Sequence, residues 1–477
     1  MSRKSKVLFV EPPRNFWFIM GEYLPPPTGL LALAAYLRRG LPDVEVEVLD
    51  CQAERIGWDG LEKAIESSEP AIVATSGFTA NVYTCARTAE ISKKVNEDIV
   101  TVVGGSHFSF NPEESLVSFP EIDYVVRGEG EETLVELVRT LREDKTPDGV
   151  KGISYRADGR IVHNDDRPLI ANLDSLPHPA YDLVEDNIKR YHFSMMAGRN
   201  TRYLILEGSR GCVHRCSFCT QWRHWQGVHR MKSAKRVADE IEHMHDAYGG
   251  VFLWLTDDNF EYGRRAGPLY EELRKRKCRE DIMLFFQART DDVAANPELV
   301  SKLRSVGNYW VMMGVESNSE KRLKEFRKDI SPSDAYKAVK VLNENDIFSH
   351  AMFVTGSRDD TVESIEAQRQ FSLDIGSDLS IYTVLTPFPG TSYFEMAREN
   401  GWIEDYNYAN YDMAHAIMPT ETMTRDEVQR ELYNCYKAFY GSYAKGVAGV
   451  FSTKKLKRIM YRHMASQHVL KKLRDLI

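Results

Sequence analysis

The sequence predicts an α/β chain, two successive parallel-sheet halves followed by a helical region. Short apolar runs alternate with amphipathic stretches up to about residue 150, the same alternation resumes at 203, and near 396 it stops. Apolar strands separated by helices mean parallel sheets, whose strands are buried on both faces.

In the first half "KVLFVEP" reads as a strand, "GLLALAAYLRRG" as a helix closed by glycine, and "VEVEVLD" as a strand. "GLEKAIESS" reads as a helix, and "AIVATSG" as a strand feeding a helix through "NVYTCARTAEISKKVN". "IVTVVGG" and "DYVVRGEG" are two further strands, each with a helix after it. Five such units make a doubly wound, Rossmann-like domain. "GISYRADGRIVHN" closes it as a hairpin with an Asp-Gly turn. "NLDSLPHPAYDLV" is Pro-rich, weakly periodic, and reads as a linker. Six more strands follow, "YLILEGS", "VFLWLTD", "IMLFFQA", "YWVMMGV", "HAMFVTG" and "LSIYTVLTP". With helices between them, one carrying Val237, Ile241, Met244 and Tyr248 on a single face, they predict a partial (β/α)6 barrel of TIM type. "DEVQRELYNCYKAFYGSYAKG" and the basic tail "KKLKRIMYRHMASQHVLKKLRDL" read as helices. The expected domains are 1–170, a linker at 171–200, the barrel at 201–395 and a C-terminal helical domain at 396–477.

The bulk numbers agree with this division. A chain of 477 residues is too long for one hydrophobic core, and 43% hydrophobic with 28% charged residues is ordinary globular composition. The net charge of −8 argues against a nucleic-acid binder, which needs a basic surface. In "MSRKSKVLFVEPP" the apolar run is too short for a signal peptide, and "GLLALAAYL" is too short to span a bilayer. A cytoplasmic protein without a transmembrane segment is expected. Cys51, Cys85, Cys278 and Cys435 are dispersed and read as buried small hydrophobes, not a disulfide framework.

The other three cysteines are clustered in "GSRGCVHRCSFCTQW": Cys212, Cys216 and Cys219. A structural zinc site wants four ligands; three thiolates leave a coordination position open. The loop lies just past the first barrel strand, and barrels gather ligand sites at the carboxyl ends of their strands. An iron–sulfur cluster fits three soft ligands with one foreign one. The rival readings are zinc with His214 or His224 as fourth ligand, and a redox thiol site.

Cys-x3-Cys-x2-Cys with Phe218 before the last cysteine resembles the radical S-adenosylmethionine (SAM) superfamily. The resemblance implies a [4Fe–4S] cluster whose open iron is chelated by the methionine part of SAM. It extends to the other strand ends. Asp257, Asp258 and Asn259 in "TDDNF" offer acceptors for the SAM ammonium; Gln287 and Arg289 in "QART" address ribose or carboxylate; Glu316 and Ser317 in "GVES" resemble the family's ribose-contacting stretch; and Phe388 in "TPFPGT" flanks the adenine. The structural alternatives are helix caps for Asp258 and Glu316, an ion pair for Arg289 and core packing for Phe388.

No G-x-G-x-x-G follows the first strand, so a dinucleotide is not expected. "PPPTGLLALAAYLRRG", "TSGFTANVY", "VVGGSHFSFNPEE" and "VVRGEGEETLVEL" instead resemble the cobalamin-binding domain found ahead of radical SAM domains. The resemblance covers residues 6 to about 415, including "NYDMAHAIMP" beyond the barrel. It implies cobalamin contacts at Ser76, Phe78, Thr79, Asn81, Gly104, Gly105, His107, Gly128, Glu129 and Gly130. No Asp-x-His-x-x-Gly is present, so the usual histidine lower ligand is absent; His107 is expected to touch the corrin edge or simply to begin a helix. Cobalt is expected to be five-coordinate or to meet water or a side chain such as Phe78 or Asn81.

The family resembled is the class B C-methyltransferase type. It implies that one SAM methylates cobalamin and a second is cleaved to a deoxyadenosyl radical, so that an unactivated carbon loses hydrogen and takes the methyl group from methylcobalamin. An electron donor such as ferredoxin or flavodoxin is implied. The expected acceptor is a residue in a protein or peptide, for instance of the glutamine C-methyltransferase type acting on methyl-coenzyme M reductase. The alternatives are an oxidative cyclase or rearrangement enzyme on a tetrapyrrole or other small molecule, and a non-enzymatic corrinoid- or metal-binding module.

Overall fold

The computed structural model describes residues 6–14, 23–193, 201–441 and 443–467. They form two compact units, divided chiefly after Arg190.

The first unit holds a seven-stranded sheet of β1 (Lys6–Glu11), β2 (Glu45–Asp50), β3 (Ile72–Ser76), β4 (Val100–Gly104), β5 (Tyr124–Val126), β6 (Ile153–Ala157) and β7 (Arg160–His163). Its order is β2-β1-β3-β4-β5-β6-β7, with the first five strands parallel. This is the flavodoxin-like variant of the doubly wound fold, with its switch point between β1 and β3. Both faces are buried. Val7 and Phe9 pack with helix α1 (Thr28–Gly40) and Val126, whereas Leu8 and Val10 pack on the opposite face against Leu61, Ile65 and Ile91. The closing hairpin β6–β7 has its expected turn, Asp158 and Gly159 both at positive φ (50° and 73°) as a type I′ turn requires.

The expected linker is not one in its first part. Leu173 and Leu176 form an apolar cluster with Ile170 against Tyr36, Ala180 joins the main core, and Tyr181 is fully buried. The chain stays on the first unit through Arg190, whose guanidinium donates to the Ala53 carbonyl at 2.9 Å. Residues 194–200 of the expected linker lie outside the described residues.

The second unit contains the six predicted strands: β8 (Tyr203–Leu206), β9 (Phe252–Leu255), β10 (Met283–Arg289), β11 (Asn308–Glu316), β12 (Phe348–Thr355) and β13 (Leu379–Val384). All neighbours are parallel and in sequential order, which is the winding of a barrel and not of a doubly wound sheet. An aromatic layer fills the interior toward the amino ends of the strands. Trp254 stacks on Phe285 (5.0 Å), Phe285 on Trp310 (3.9 Å) and Trp310 on His350 (5.7 Å). Burial pushes His350 down to about 3, so its imidazole is neutral. Tyr23–Leu24 pairs antiparallel with His192–Phe193, and Phe193 extends the layer onto Trp310 at 5.3 Å.

The C-terminal helices are not a separate domain; they belong to the barrel unit. A partial barrel leaves its last strand with unpaired backbone groups. Helix α2 (Arg425–Tyr440) covers β13 and satisfies them with two phenols. Tyr436 Oη accepts from the Tyr382 N–H (3.1 Å) and donates to its carbonyl (2.7 Å); Tyr440 Oη does the same at Ser380 (3.2 and 2.7 Å). Among the described residues no helix is long and apolar enough to cross a membrane. Residues 468–477 of the basic tail lie outside the described residues.

Removing the Tyr436 hydroxyl orphans two buried backbone groups, at a cost of about 1–3 kcal/mol. Tyr436→Phe should therefore lower the melting temperature clearly, whereas Tyr433→Phe, on the half-exposed face of the same helix, should leave it within error in differential scanning fluorimetry.

Candidate active site

The cysteine loop starts where β8 ends. A short antiparallel ribbon of Ser209–Arg210 and Arg230–Met231 closes its base. Cys212, Cys216 and Cys219 are half-buried free thiols; the other four cysteines are buried, as expected. The Cys216 carbonyl accepts from the Cys219 N–H (3.2 Å) and from Trp222 Nε1 (3.1 Å), which curls the loop. The Ser217 N–H donates to the Phe326 carbonyl at 3.0 Å, and the Phe218 ring meets the Phe326 ring edge-on at 5.0 Å. Burial raises all three thiols, Cys219 to about 12, and binding a metal requires the deprotonated form.

All three cysteines and Phe218 line one cavity of about 290 Å3 at the carboxyl ends of the barrel strands. Asp258, Asn259, Gln287, Arg289, Glu316 and Phe388 line it too. Asn259 is 4% exposed and its Oδ1 has no hydrogen-bond partner, an acceptor held ready for a ligand. Burial, reinforced by neighbouring Asp257, pushes the Asp258 carboxyl up to about 7. Arg289 lines the cavity but is also held, donating to both oxygens of Asp291 (3.0 and 3.1 Å) and to the Asp329 carbonyl (2.8 Å). Glu316 stands at a break in register between β11 and β12, with φ at 61°, so the strand end is turned. Its carboxylate pairs with Lys328. Phe388 is half-buried against the apolar cluster of Leu385, Tyr393 and Phe394.

Two expectations for this cavity fail. Asp257 is fully buried and does not line it, because its carboxylate is used by Gly208, Ser209 and Arg265. Ser317 is also outside, its hydroxyl accepting from the Ser319 N–H at 3.2 Å. Sequence reasoning missed Lys328, Met312, Met352 and Met413, which all line the cavity. The two strand methionines share the inward register of Gln287 and Gly314 and were legible as period-2 neighbours. Lys328 had no local signal. Met413, at φ 65° with its carbonyl accepting from the Val384 N–H (2.8 Å), lies in the quoted "NYDMAHAIMP".

The donor set fits a cluster better than a single ion. Among the described residues no three His, Cys, Asp or Glu side chains converge closely enough to hold one metal ion, as zinc requires. Thiolates on a cluster need not converge on a point, since they bind different irons.

In the first unit, the loops after β3, β4 and β5 meet at the carboxyl end of the sheet. The Gly77 N–H donates to the Gly104 carbonyl (2.9 Å), His107 Nδ1 lies 3.4 Å from Thr79 Oγ1, and the Gly128 N–H donates to Ser109 Oγ (3.0 Å). Gly105 has φ 97°, and a Cβ there would sit 2.4 Å from the Gly77 carbonyl oxygen. Only glycine permits this approach. Ser76 and Phe78 are accessible, Phe78 being 42% exposed. The row of small residues beside an exposed aromatic fits a flat macrocycle. Four expectations change here. Glu129 is 7% exposed and its carboxylate accepts from the Ile170 N–H (2.6 Å), binding the chain that returns after the hairpin. Asn81 is buried, with Oδ1 accepting from the Phe78 N–H (3.1 Å), so its amide oxygen is not offered to a metal. His107 is 2% exposed, and burial pushes it down to about 4, leaving a neutral ring that packs edge-on against Phe108. Gly130 begins a helix, where a Cβ would press on Leu33.

Residues 20–138 match the B12 binding domain family and residues 206–371 the radical SAM superfamily. An uncharacterized methyltransferase of Pyrococcus horikoshii is 30% identical over 437 residues, 91% of this chain and 92% of that protein. The chain belongs to the B12-binding radical SAM methyltransferase family. Its cofactors are therefore cobalamin, SAM and the [4Fe–4S] cluster. The anaerobic magnesium-protoporphyrin IX monomethyl ester cyclase of Cereibacter sphaeroides is also 30% identical, covering 87% of this chain and 67% of the cyclase. The fold is that of the radical SAM methyltransferase TsrM from Kitasatospora setae, with a TM-score of 0.73 at 16% identity over 100% of both chains.

Gly105 and Gly128, both expected to contact cobalamin, give a discriminating pair. A Cβ at Gly128 (φ 69°) would meet nothing within 4 Å, and asparagine tolerates this backbone. Gly128→Asn should fold and lose cobalamin, read from the corrin absorbance of purified protein. Gly105→Ala should instead destabilise the whole first unit.

Proposed function

We propose that this enzyme transfers a methyl group from SAM, by way of cobalamin, to an unactivated carbon. The observation that carries the reading is the single cavity in which three cysteines, an orphaned Asn259 oxygen, Arg289 and the Glu316–Lys328 pair surround one space at the barrel mouth. When bound, the cluster supplies the electron that cleaves SAM, and cobalamin supplies the carrier from which the methyl group leaves. Cys212, Cys216 and Cys219 hold the cluster. Asn259 Oδ1 and Asp258 accept hydrogen bonds from the SAM ammonium, and Arg289 faces its carboxylate. Glu316, fixed by Lys328, accepts from the ribose hydroxyls, and Phe388 covers the adenine. Ser76, Gly104, Gly105 and Gly128 form the floor on which the corrin rests, with Phe78 at its edge. Met312, Met352 and Met413 supply a soft, adaptable wall that excludes water from a reactive site. The reductant is a low-potential one-electron carrier of the ferredoxin or flavodoxin class.

At about 290 Å3 the cavity is at the small end of ligand pockets. On this reading the cluster and SAM occupy it, and the acceptor carbon is presented from the open carboxyl end. An extended segment of protein or peptide presents one carbon in that way, and this is the acceptor class we favour. Cyclisation of a tetrapyrrole is the second reading, favoured by the 30% identical cyclase.

The two readings part on one product. Methyl transfer yields S-adenosylhomocysteine alongside deoxyadenosine, whereas cyclisation yields no S-adenosylhomocysteine in proportion to product. Anaerobic turnover with host peptide and tetrapyrrole fractions, followed by mass spectrometry, separates them. Cys216→Ala should abolish deoxyadenosine while leaving cobalamin bound. Glu316→Gln should weaken SAM binding about 10-fold, the worth of one charge-assisted hydrogen bond, with cobalamin content unchanged. Undiminished SAM affinity would return Glu316 to a purely structural partner of Lys328.

A further inference from the structure

Asp257 was expected in the SAM cavity, and its actual position raises the question of what a fully buried carboxylate does beside it. Asp257 Oδ1 accepts from two consecutive backbone N–H groups, Gly208 at 2.7 Å and Ser209 at 2.8 Å. Asp257 Oδ2 pairs with Arg265, whose Nη1 also donates to the Ser209 hydroxyl at 3.1 Å. Gly208 directly precedes, and Ser209 begins, the ribbon that closes the base of the cysteine loop. The device thus ties the carboxyl end of β9 to the start of the chain that carries Cys212.

We infer that Asp257, oriented by Arg265, is a positioning residue that sets the register of the cysteine loop against the barrel, and through it the placement of the cluster relative to SAM. Four features carry this. The contacts are on the backbone of the loop's first residues, so they fix its path and not one rotamer. Gly208 has no room for a side chain, since a Cβ would lie 2.6 Å from Arg265 Nη2 and 2.9 Å from Asp257 Oδ2. Arg265 is delivered by a π-helical turn, Tyr262–Ala266, a rare geometry that widens the helix at functional places. That turn is itself pinned, Asp292 accepting from the N–H groups of Tyr262 (2.5 Å) and Gly263 (3.1 Å), while the Arg265 guanidinium lies 4.7 Å over the Phe260 ring.

A cavity of about 210 Å3 lies behind the pair, lined by Lys232, Phe260 and Arg265 among others. A buried ion pair contributes little net stability, because desolvation offsets its attraction, whereas it constrains geometry strongly. A role in placement accounts for both.

The test uses the anaerobically reconstituted full chain. Arg265→Met keeps bulk and removes the charge; Arg265→Lys keeps the charge and serves as the conservative rescue; Ser209→Ala removes only the 3.1 Å hydrogen bond. Three quantities are read: iron release to a chelator, the change that SAM induces in the electron paramagnetic resonance spectrum of the reduced cluster, and cobalamin content. Groups that orient metal ligands are typically worth 10- to 100-fold in metal affinity. Arg265→Met should lose iron about 10- to 100-fold faster and lose the SAM-induced spectral change, with cobalamin content at the wild-type value. Arg265→Lys should recover both in part. Wild-type iron release and spectral response in a folded Arg265→Met protein would overturn the proposal. If Arg265→Met does not fold, Arg265→Lys and Ser209→Ala decide: wild-type behaviour in both overturns it, and a graded loss supports it. The proposal rests on the cysteines being cluster ligands. The iron content of the wild-type protein reports on that reading, and the ratio of variant to wild-type reports on this one.

Discussion

Parallel pairing is the constraint from which the rest of the molecule follows. A parallel strand cannot return by a tight turn, so every connection crosses a face of the sheet and all carboxyl ends point the same way. In each unit that collects the irregular segments on one side. In the first unit they are the glycine-containing loops after β3, β4 and β5, whose backbones approach until Gly105 has no space for a Cβ. In the second they are the cysteine loop and the ends of β9 to β13. The cost of the arrangement is an open edge, and the chain meets it with the phenols of Tyr436 and Tyr440 on both backbone groups of Tyr382 and Ser380. The helix bearing them is thus part of the barrel's closure, which is why the C-terminal region does not fold away as its own domain.

What the sequence made legible and what it hid divide along a physical line. Strands buried on both faces are continuous apolar runs, so all the barrel strands stood out, as did the cysteines, whose spacing is local. Segments that pack without a period did not. Leu173, Leu176 and Tyr181 are as buried as core strand residues, yet they come from short 3-10 turns among prolines, and no periodicity marks them. Pairings distant in sequence were equally invisible. Glu129 reaches Ile170 and Glu316 reaches Lys328 through the fold, and neither partner announces itself by spacing. The adjacent pair Asp257 and Asp258 shows the limit most sharply. The sequence offers two equivalent carboxylates in "TDDNF"; the irregular chain past the end of β9 turns one to the cavity and the other to the loop backbone.

That division of labour has an electrostatic consequence. Asp257 pairs with Arg265 and accepts from two backbone N–H groups. Burial, with Asp257 beside it, pushes the Asp258 carboxyl up to about 7. A cation brought against it restores the carboxylate, because an opposite charge at close range favours the ionised form. On the proposed reading the SAM ammonium is that cation. The site then binds a positive group with one carboxylate while the other, spent on the loop, sets where the cysteines stand. Neither could exchange roles without losing either the loop's anchor or the cavity's acceptor.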